Sequence, residues 1–516
     1  MFTGKSWRPP IRAFHHGPYA GAAQTRPGLL VSSALLASAL WYSHVVYNDG
    51  PVSLAPQQKK FERPTGEAFS KIDSNDSNIL NTLVWGSNRA NILSSILPSS
   101  TTIRKPFVAS WLDNVALRDL VLHQSHAACV DARGDVYQWG KGYLPRTLED
   151  EKPKRTLSGK DIIKLQLSDR RVFALAKSGK VYVLDSNAAR QTVSEASAPR
   201  WKFWASTPLV DSTELAPQET FGWGEKFVSI SAGRDHLLAL TSTGHSHGQL
   251  GFRPTPTNTV NSLAGAVSPA TGIDERDIRA CTRLYELPVL KDVKVAQIAA
   301  GARSSFVRTP SGQQLGLGAS ISSDFVTVPT EVGLRPTRSQ QSSARCLDVS
   351  AGGDLTCFTV ERTQADLPVV DVLMCGDGQW GGIGNSVYTN AQGSPTRVKM
   401  LSGLFEHNEA TQRLQSIRPQ SISISPTGHV LATLNPSSGG CDLHVWGRNQ
   451  DYELGNGKKT SVSSPMPVGS GNERLLLQKR NVKDLQGRTW GRGTAVEQFA
   501  VCGFGCSIVY WRLPLS

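Results

Sequence analysis

Two short patterns recur along the chain, and their repetition constrains the fold more strongly than any single residue does. The first pattern is a β-prone apolar run that closes on an aromatic residue and Gly. It is found at residues 83–88, 136–142 and 443–449, with degenerate copies at 181–187 and 372–384. Apolar alternation bounded by Gly predicts strands joined by tight turns. An aromatic-Gly pair at a strand end is expected to fill the gap between neighbouring sheets.

The second pattern is an apolar alternation, an Ala-Gly step, another apolar run and a closing Gly. It is clearest at 228–244, 295–312 and 347–361, and weaker copies lie at 120–134, 162–179, 421–434 and 499–511. A small Ala-Gly step allows strands to crowd near a central axis, where a larger side chain would clash. Copies repeated about every 50–70 residues predict an all-β fold, a seven-bladed β-propeller.

The two halves of the repeat are divided between the ends of this region. It begins with the aromatic-Gly half at 83–88 and ends with the Gly-Cys half at 499–511. Neither half makes a whole blade. We therefore expect the first and last strands to share one blade, which closes the ring and removes its exposed edges.

Two copies depart from the pattern, after Gly244 and after Gly312. Each passes from the closing Gly straight into a short Gln- and Gly-containing stretch, without the strand that should end in aromatic-Gly. Both blades are therefore expected to lack a strand of about five or six residues. Either short coding pieces are missing from the gene model, which is the favoured explanation, or the divergence is real.

The first acidic residue of the chain is Asp49. Residues 1–28 carry Lys and Arg spaced among aromatic residues, which predicts a mitochondrial presequence. The apolar run at 29–47 would span about 28 Å as a helix and ends in Trp and Tyr residues, which predicts one transmembrane helix. The alternative is the apolar part of a cleaved presequence. Residues 48–78 are predicted to be a linker and 79–516 the propeller.

Basic residues flank both ends of the predicted span, with a small excess on its N-terminal side. By the positive-inside rule, this count favours a propeller in the intermembrane space, and the matrix stays open as the alternative.

The stretches 232–241 (AGRDHLLALT) and 246–251 (SHGQLG) are similar to RCC1-type repeats. Together with its N-terminal segment, the chain resembles the fungal mitochondrial RCC1-like proteins of the inner membrane, over about residues 80–516. The resemblance implies a seven-bladed propeller and a structural role for His236, which would tie neighbouring strands by hydrogen bonds. The repeat positions are Trp85, Gly86, Trp139, Gly140, Gly233, His236, Gly301, Gly352, Trp446 and Gly447.

Motifs that carry catalysis are scarce. The chain has no GxSxG, HExxH, P-loop or strand-associated GxGxxG motif, and its eight cysteines include no CxxC pair. Asp235 and His236 could form an acid–base pair, and His245 and His247 could ligate a metal, but a structural or solvated role is favoured for both. No catalytic residue, metal site or cofactor is predicted.

Aromatic residues interleaved with basic ones provide the candidate binding site. The candidates are Trp201, Phe203, Trp204 and Trp223. Such interleaving is typical of membrane interfaces and of hot spots for protein partners. The alternative is that these residues cap a propeller face as local core.

The formal net charge is +13, from 55 basic and 42 acidic residues, but no run of Lys and Arg reaches five. Dispersed charge does not indicate a nucleic-acid-binding tail. The resemblance implies a non-enzymatic inner-membrane scaffold in respiratory complex III (cytochrome bc1) assembly, whose partners are assembly intermediates. The alternatives are guanine-nucleotide exchange on a small GTPase and a matrix factor associated with the mitoribosome or RNA.

Overall fold

A computed structural model of the chain describes most of the repeat region. The described residues are 80–93, 102–144, 153–191, 212–248, 283–316, 329–334, 344–364, 367–408, 412–435, 441–468, 474–475 and 477–514. The predicted presequence, transmembrane helix and linker lie outside these residues. In the part of the chain that is described, no helix is both long enough and apolar enough to cross a membrane. The chain divides after Arg63, and all described residues belong to the unit Pro64–Ser516.

The described residues are almost entirely strands and connections. The chain begins with Leu83–Ser87 (β1) and Thr102–Val108 (β2). Blade 1 contains Leu117–Leu122 (β3), Ala127–Asp131 (β4), Val136–Trp139 (β5) and Lys154–Leu157 (β6). Blade 2 contains Ile162–Leu167 (β7), Arg171–Ala176 (β8), Val181–Asp185 (β9) and Thr213–Pro217 (β10). Blade 3 contains Phe227–Ala232 (β11), Leu237–Thr241 (β12), Ser246–Gly248 (β13) and Arg283–Glu286 (β14).

The second half of the chain continues the series. Blade 4 contains Gln297–Ala300 (β15), Ser305–Arg308 (β16), Gln314–Gly316 (β17) and Thr330–Glu331 (β18). Blade 5 contains Ala344–Gly352 (β19), Leu355–Gln364 (β20), Leu367–Gly376 (β21) and Gln392–Arg397 (β22), followed by the hairpin Phe405–Asn408 (β23) and Arg413–Ser416 (β24). Blade 6 contains Pro419–Ile424 (β25), His429–Leu434 (β26), Cys441–Gly447 (β27) and Val462–Pro467 (β28). The last strands are Arg474–Leu475 (β29), Leu477–Lys483 (β30), Thr489–Cys502 (β31) and Cys506–Arg512 (β32). Short 3₁₀ helices lie at Ser110–Leu112, Ala188–Arg190, Pro288–Leu290 and Lys399–Leu401.

Strands β31, β32, β1 and β2 form the closing blade. Its register pairs Leu83 with Val509 and Gly86 with Cys506, so a strand from each end of the described chain shares one sheet. The innermost strands pack on one another in the order β3, β7, β11, β15, β19, β25 and β31, and β31 returns to β3. The described residues therefore form a closed ring of seven four-stranded blades, and the two ends share a blade as predicted.

The prediction that two blades lack a strand is wrong. After Gly244, residues Ser246–Gly248 pair with β12 on one side and with β14 on the other. After Gly312, residues Gln314–Gly316 make the equivalent pairs with β16 and β18. Each blade keeps its third strand, shortened to three residues, because ladder hydrogen bonds need only backbone groups and do not require an aromatic-Gly ending.

The core of the propeller lies between the blades. The second strands are its centre, because β4, β12, β26 and all but the last residue of β32 are buried along their length. A strand covered on both faces by neighbouring blades has no polar face, which explains why these sequences are nearly continuous apolar runs.

Antiparallel pairing gives the ring two distinct faces. The turns between first and second strands, and the loops between third and fourth strands, lie on the face called lower here. The turns between second and third strands, and the connections between blades, lie on the upper face. Backbone hydrogen bonds join equivalent turns of adjacent blades and hold them at the same height along the ring axis. One example is the bond from Arg234 N to the Ala302 carbonyl oxygen at 2.9 Å.

Replacing Leu83 by Ala tests the closure of the ring. Leu83 is fully buried in β1, where its neighbours come from both ends of the described chain. We expect Leu83→Ala to lower the free energy of unfolding by about 2–5 kcal/mol, because it leaves a cavity at the junction. The measurement is urea denaturation. Leu414→Ala, at a Leu that is 56% exposed, is the matched control and should change stability by less than about 0.5 kcal/mol. Equal effects would contradict closure at this site.

Candidate partner-binding site

The predicted repeat tryptophans lie at the interfaces between blades. Trp85, Trp139 and Trp446 are all buried on third strands, and each indole N–H donates to a carbonyl oxygen in the loop that follows the third strand of the preceding blade. The bonds run from Trp85 to Glu453 (2.6 Å), from Trp139 to Ile92 (2.9 Å) and from Trp446 to Gly382 (2.8 Å). Each ring therefore fills an interface and satisfies its polar atom there.

The glycines that follow these tryptophans have backbone conformations that other residues rarely adopt. Gly86, Gly140 and Gly447 have φ angles of 100°, 105° and 99°. A Cβ atom on Gly447 would also lie 2.3 Å from the carbonyl oxygen of Gly428. Both the backbone angle and the close approach to the second strand require Gly at this position.

The glycines of the Ala-Gly steps lie where one blade meets the next. A Cβ atom on Gly233 would lie 2.4 Å from the carbonyl oxygen of Gly301, and one on Gly352 would lie 2.1 Å from that of Ile424. On Gly301 it would approach the carbonyl oxygen of Gly353 to 2.9 Å. The small residue therefore allows backbones of adjacent blades to come into contact on the lower face.

Two histidines connect second strands of neighbouring blades. His236 Nε2 lies 3.1 Å from the Ser305 hydroxyl, and His429 Nε2 lies 3.1 Å from the Ser507 hydroxyl. His126 occupies the equivalent position in blade 1. In blade 2, however, Val172 stands where those two interfaces have the serine hydroxyl. Nε2 of His126 has no hydrogen-bond partner among the described residues. Burial, together with the nearby His123, lowers the pKa of His126 to about 3.

The remaining candidate histidines, His245 and His247, lie in different surroundings. His247 is buried edge-on against Phe221 and Phe227, whereas His245 is partly exposed beside Glu225. Burial lowers the pKa of the His247 imidazole. Within the described residues, no three His, Cys, Asp or Glu side chains are grouped as metal ligands.

Trp223 is the predicted binding residue that the structure presents to solvent. It is fully exposed at the tip of a turn between β10 and β11, on the upper face. Glu225 N donates to the Gly222 carbonyl oxygen at 3.0 Å, which closes the turn, and Gly224 has a φ of 78°. Phe221 packs edge-on against Phe227 at 4.8 Å and holds the base of the turn in the core.

Glu225 holds the Trp223 turn against the neighbouring strands. Its carboxylate accepts hydrogen bonds from the Thr243 hydroxyl and from the Gly222 amide, the latter at 3.2 Å, and lies 3.2 Å from His245 Nδ1. Burial would raise the pKa of this carboxyl, but the hydrogen bonds, from Thr243 first and then from Thr241, lower it to about 2. The carboxylate therefore stays charged throughout the physiological pH range, and it keeps its hydrogen bonds to the turn and to the neighbouring strands.

Trp201, Phe203 and Trp204 lie outside the described residues. The structure therefore gives a position to Trp223 alone among the four predicted binding residues. Glu225 was not predicted as part of the site. Its role depends on Thr243 and His245, which approach it from the turn after β12, and no local spacing in the sequence indicates that contact.

Comparison with known proteins supports the fold and adds a cellular context. No protein-family model matches the chain. The chain is 23% identical over 464 residues to the mitochondrial protein FMP25 of Saccharomyces cerevisiae, covering 83% of this chain and 72% of that protein. It is 22% identical over 389 residues to the regulator of chromosome condensation of Xenopus laevis, covering 69% of this chain and 80% of that protein.

A solved structure of yeast RCC1 (Prp20) bound to Kap60 has the same architecture. The TM-score is 0.54 at 15% identity, over 90% of this chain and 97% of that one. Homologues of the chain thus include RCC1-family proteins and a mitochondrial protein, and its structural neighbours are RCC1 propellers. At this identity the structural likeness shows the fold alone.

Replacing His429 by Gln tests the buried histidine bridge. Burial lowers the pKa of His429 to about 3, below its unfolded value of about 6.5. Its stabilising contribution is therefore complete above pH 6.5 and is lost as the pH falls, because the unfolded chain takes up the proton first. When the pH is lowered from 7 to 5, we expect the free energy of unfolding of the wild type to fall by about 2 kcal/mol more than that of the His429→Gln variant.

Urea denaturation at both pH values is the measurement. His407→Gln, at an exposed histidine of β23, is the control and should keep the wild-type dependence on pH. Identical pH profiles for the wild type and His429→Gln would contradict a buried, neutral His429.

Proposed function

We propose that this chain is a non-enzymatic mitochondrial scaffold, anchored in the inner membrane, that supports assembly of respiratory complex III. The observation that carries the proposal is Trp223, which is fully exposed on a turn pinned to a rigid ring. An exposed indole offers a large apolar area for a partner to cover, and Trp is enriched among the residues that dominate protein interfaces. Because the ring is closed, the turn is presented without a large conformational cost on binding.

The mitochondrial part of the proposal rests on two observations. The N-terminal segment has the features of a presequence followed by an apolar run, and the yeast relative FMP25 is a mitochondrial protein. Complex III as the assembly target follows from the resemblance to fungal inner-membrane RCC1-like proteins. The RCC1 propeller of yeast has been solved bound to a protein, Kap60, which supports protein docking as a use of this fold.

Several polar groups of the described ring are already engaged in holding blades together, which supports a scaffold. His236 and His429 bind hydroxyls of the next blade, and the tryptophan N–H groups bind loop carbonyls. Burial raises the pKa of the Cys357 thiol, which disfavours the reactive thiolate. These groups stabilise the fold, whereas the Trp223 turn is free to bind.

Replacing Trp223 by Ala tests the proposed function. In cells that lack the chain, we expect mature complex III to fall, and the wild-type chain to restore it. Trp223→Ala should restore it poorly. Its affinity for assembly intermediates should fall at least about thirtyfold, because truncating a hot-spot residue costs at least about 2 kcal/mol. Blue-native electrophoresis and quantitative co-purification are the measurements.

Two controls separate binding from folding. Trp223→Ala should keep the wild-type melting temperature, because its side chain is fully exposed and contributes little to the packing of the described ring. Leu414→Ala removes another exposed apolar side chain and should restore complex III fully. Normal complex III in cells that lack the chain would contradict the proposed function.

The membrane anchor has a test of its own. Because residues 29–47 are apolar over the thickness of a bilayer, we expect the full chain with a C-terminal tag to resist carbonate extraction from mitochondria. The tag should become sensitive to protease only after the outer membrane is ruptured. Extraction by carbonate would contradict the anchor, and protection of the tag in mitoplasts would contradict placement in the intermembrane space.

A further inference from the structure

A basic cleft lies on the upper face, away from the Trp223 turn. Strand β30 pairs with the N-terminal half of β31, which extends the inner strand of the closing blade into a hairpin. A cleft of about 480 Å³ opens at this hairpin. Its lining is polar and basic, and it consists of Asn114, Lys479, Arg480, Asn481, Val482, Lys483, Thr489 and Gly493. None of these described lining residues is acidic.

The positive charge of the hairpin is not neutralised by its own acids. Asp484 is fully buried and is shared by Arg133 at 3.0 Å and Arg488 at 3.2 Å, which together outweigh its charge. Glu497, at the base of the hairpin, is paired with Arg512. The exposed Lys479 and Lys483 therefore create a positive potential over the cleft that an anion would complement.

The hairpin is held in place by several contacts, so the strand that carries the basic residues is positioned before any ligand arrives. Val482 and Val496 are fully buried in a cluster with Trp511. Lys483 N donates to the Asn114 carbonyl oxygen at 2.8 Å. At the hairpin turn, the side-chain amide Nε2 of Gln486 donates to the Tyr137 hydroxyl at 3.3 Å.

The chain reaches the propeller at this same cleft. Leu80 N donates to the Asn114 side chain at 3.1 Å, and Asn114 N donates to the Leu80 carbonyl oxygen at 3.0 Å. Asn114 also lines the cleft. The segment that precedes Leu80 includes the predicted membrane span at 29–47, which ends about 30 residues earlier, within reach of a short tether.

Exposed apolar side chains on the hairpin favour a membrane as the source of the anion. Leu477 is 69% exposed at the start of β30, and Trp490 is 39% exposed near the turn. Trp and Leu next to Lys are typical of surfaces that lie at a bilayer interface, where the apolar groups enter the headgroup region and the cations bind phosphates. Inorganic phosphate, which has no apolar part, would gain nothing from these two side chains.

We propose that the β30–β31 cleft binds the phosphate headgroup of an acidic phospholipid and so holds the propeller against the membrane to which the chain is tethered. The tether is taken from the proposed function. The cleft itself, with its two lysines, one arginine and three polar side chains, does not depend on complex III.

The test titrates the purified full chain, in a nonionic detergent, with micelles that contain phosphatidylglycerol or phosphatidylcholine. We expect tighter binding to phosphatidylglycerol, weakening with salt, and slower hydrogen exchange at 477–495. The double variant Lys479→Glu/Lys483→Glu should bind at least about twentyfold more weakly, since each basic residue near an anionic surface contributes about a fivefold factor. An unchanged melting temperature would show that the variant folds.

The matched control is Lys458→Glu/Lys459→Glu, which reverses two exposed lysines on the lower face. It should bind phosphatidylglycerol as the wild type does. Equal affinity for the two lipids, or an equal loss in both double variants, would overturn the proposal. Protection of 477–495 by inorganic phosphate but by neither lipid would assign the cleft to a soluble phosphate and would also overturn it. Because the titration uses purified chain, its failure is distinct from a failure of complex III assembly.

Discussion

The pairing of β1 with β32 is the interaction on which the rest of the described structure depends. A blade has two faces, and each face is covered only if another blade lies beside it. An open row of blades would leave apolar second-strand residues exposed at both ends, together with unpaired strand edges. Joining the two ends of the repeat region in one sheet gives every blade two neighbours. The buried position of Leu83 beside Val509 is thus a condition for the burial of the whole core.

The same contacts recur at the interfaces between blades, but some interfaces lack one of them. Trp85, Trp139 and Trp446 each bind a loop carbonyl, but other blades have no Trp at this position. His236 and His429 each reach a hydroxyl, whereas His126 faces an interface where the corresponding residue is Val172. A ring tolerates such losses because apolar burial, rather than any one hydrogen bond, provides most of the stabilisation. The repeats have therefore diverged where a single polar contact could be lost without opening the ring.

Much of the fold could be predicted from the sequence, because alternation and Gly positions report directly on strands and turns. The seven blades, and the closure by residues 83–88 and 499–511, follow from those patterns. The three-residue strands β13 and β17 could not be predicted, because the expectation required an aromatic-Gly ending and backbone pairing does not. The candidate site was predictable only in part. An exposed Trp223 fits its polar and basic surroundings in the sequence, but the contacts of Glu225 with Thr243 and His245 depend on tertiary structure. The basic cleft was missed because Lys479, Arg480 and Lys483 form only a short basic stretch in the sequence, and the rest of its lining, from Asn114 and from β31, is brought to them by tertiary structure.

The two candidate surfaces lie on the same face of the ring but belong to different parts of it. The Trp223 turn connects blades 2 and 3, whereas the β30–β31 hairpin connects blade 6 to the closing blade. The hairpin reaches Arg133 and Tyr137 of blade 1, so blade 2 separates it from the Trp223 turn in one direction around the ring, and blades 3, 4, 5 and 6 separate them in the other. A partner bound at Trp223 therefore does not need to compete with a ligand at the cleft. If the cleft holds a phospholipid headgroup, the upper face is turned towards the bilayer, and Trp223 meets its partner close to the membrane surface. This arrangement suits a scaffold for membrane-embedded proteins, because it confines the search for the partner to the layer in which that partner resides.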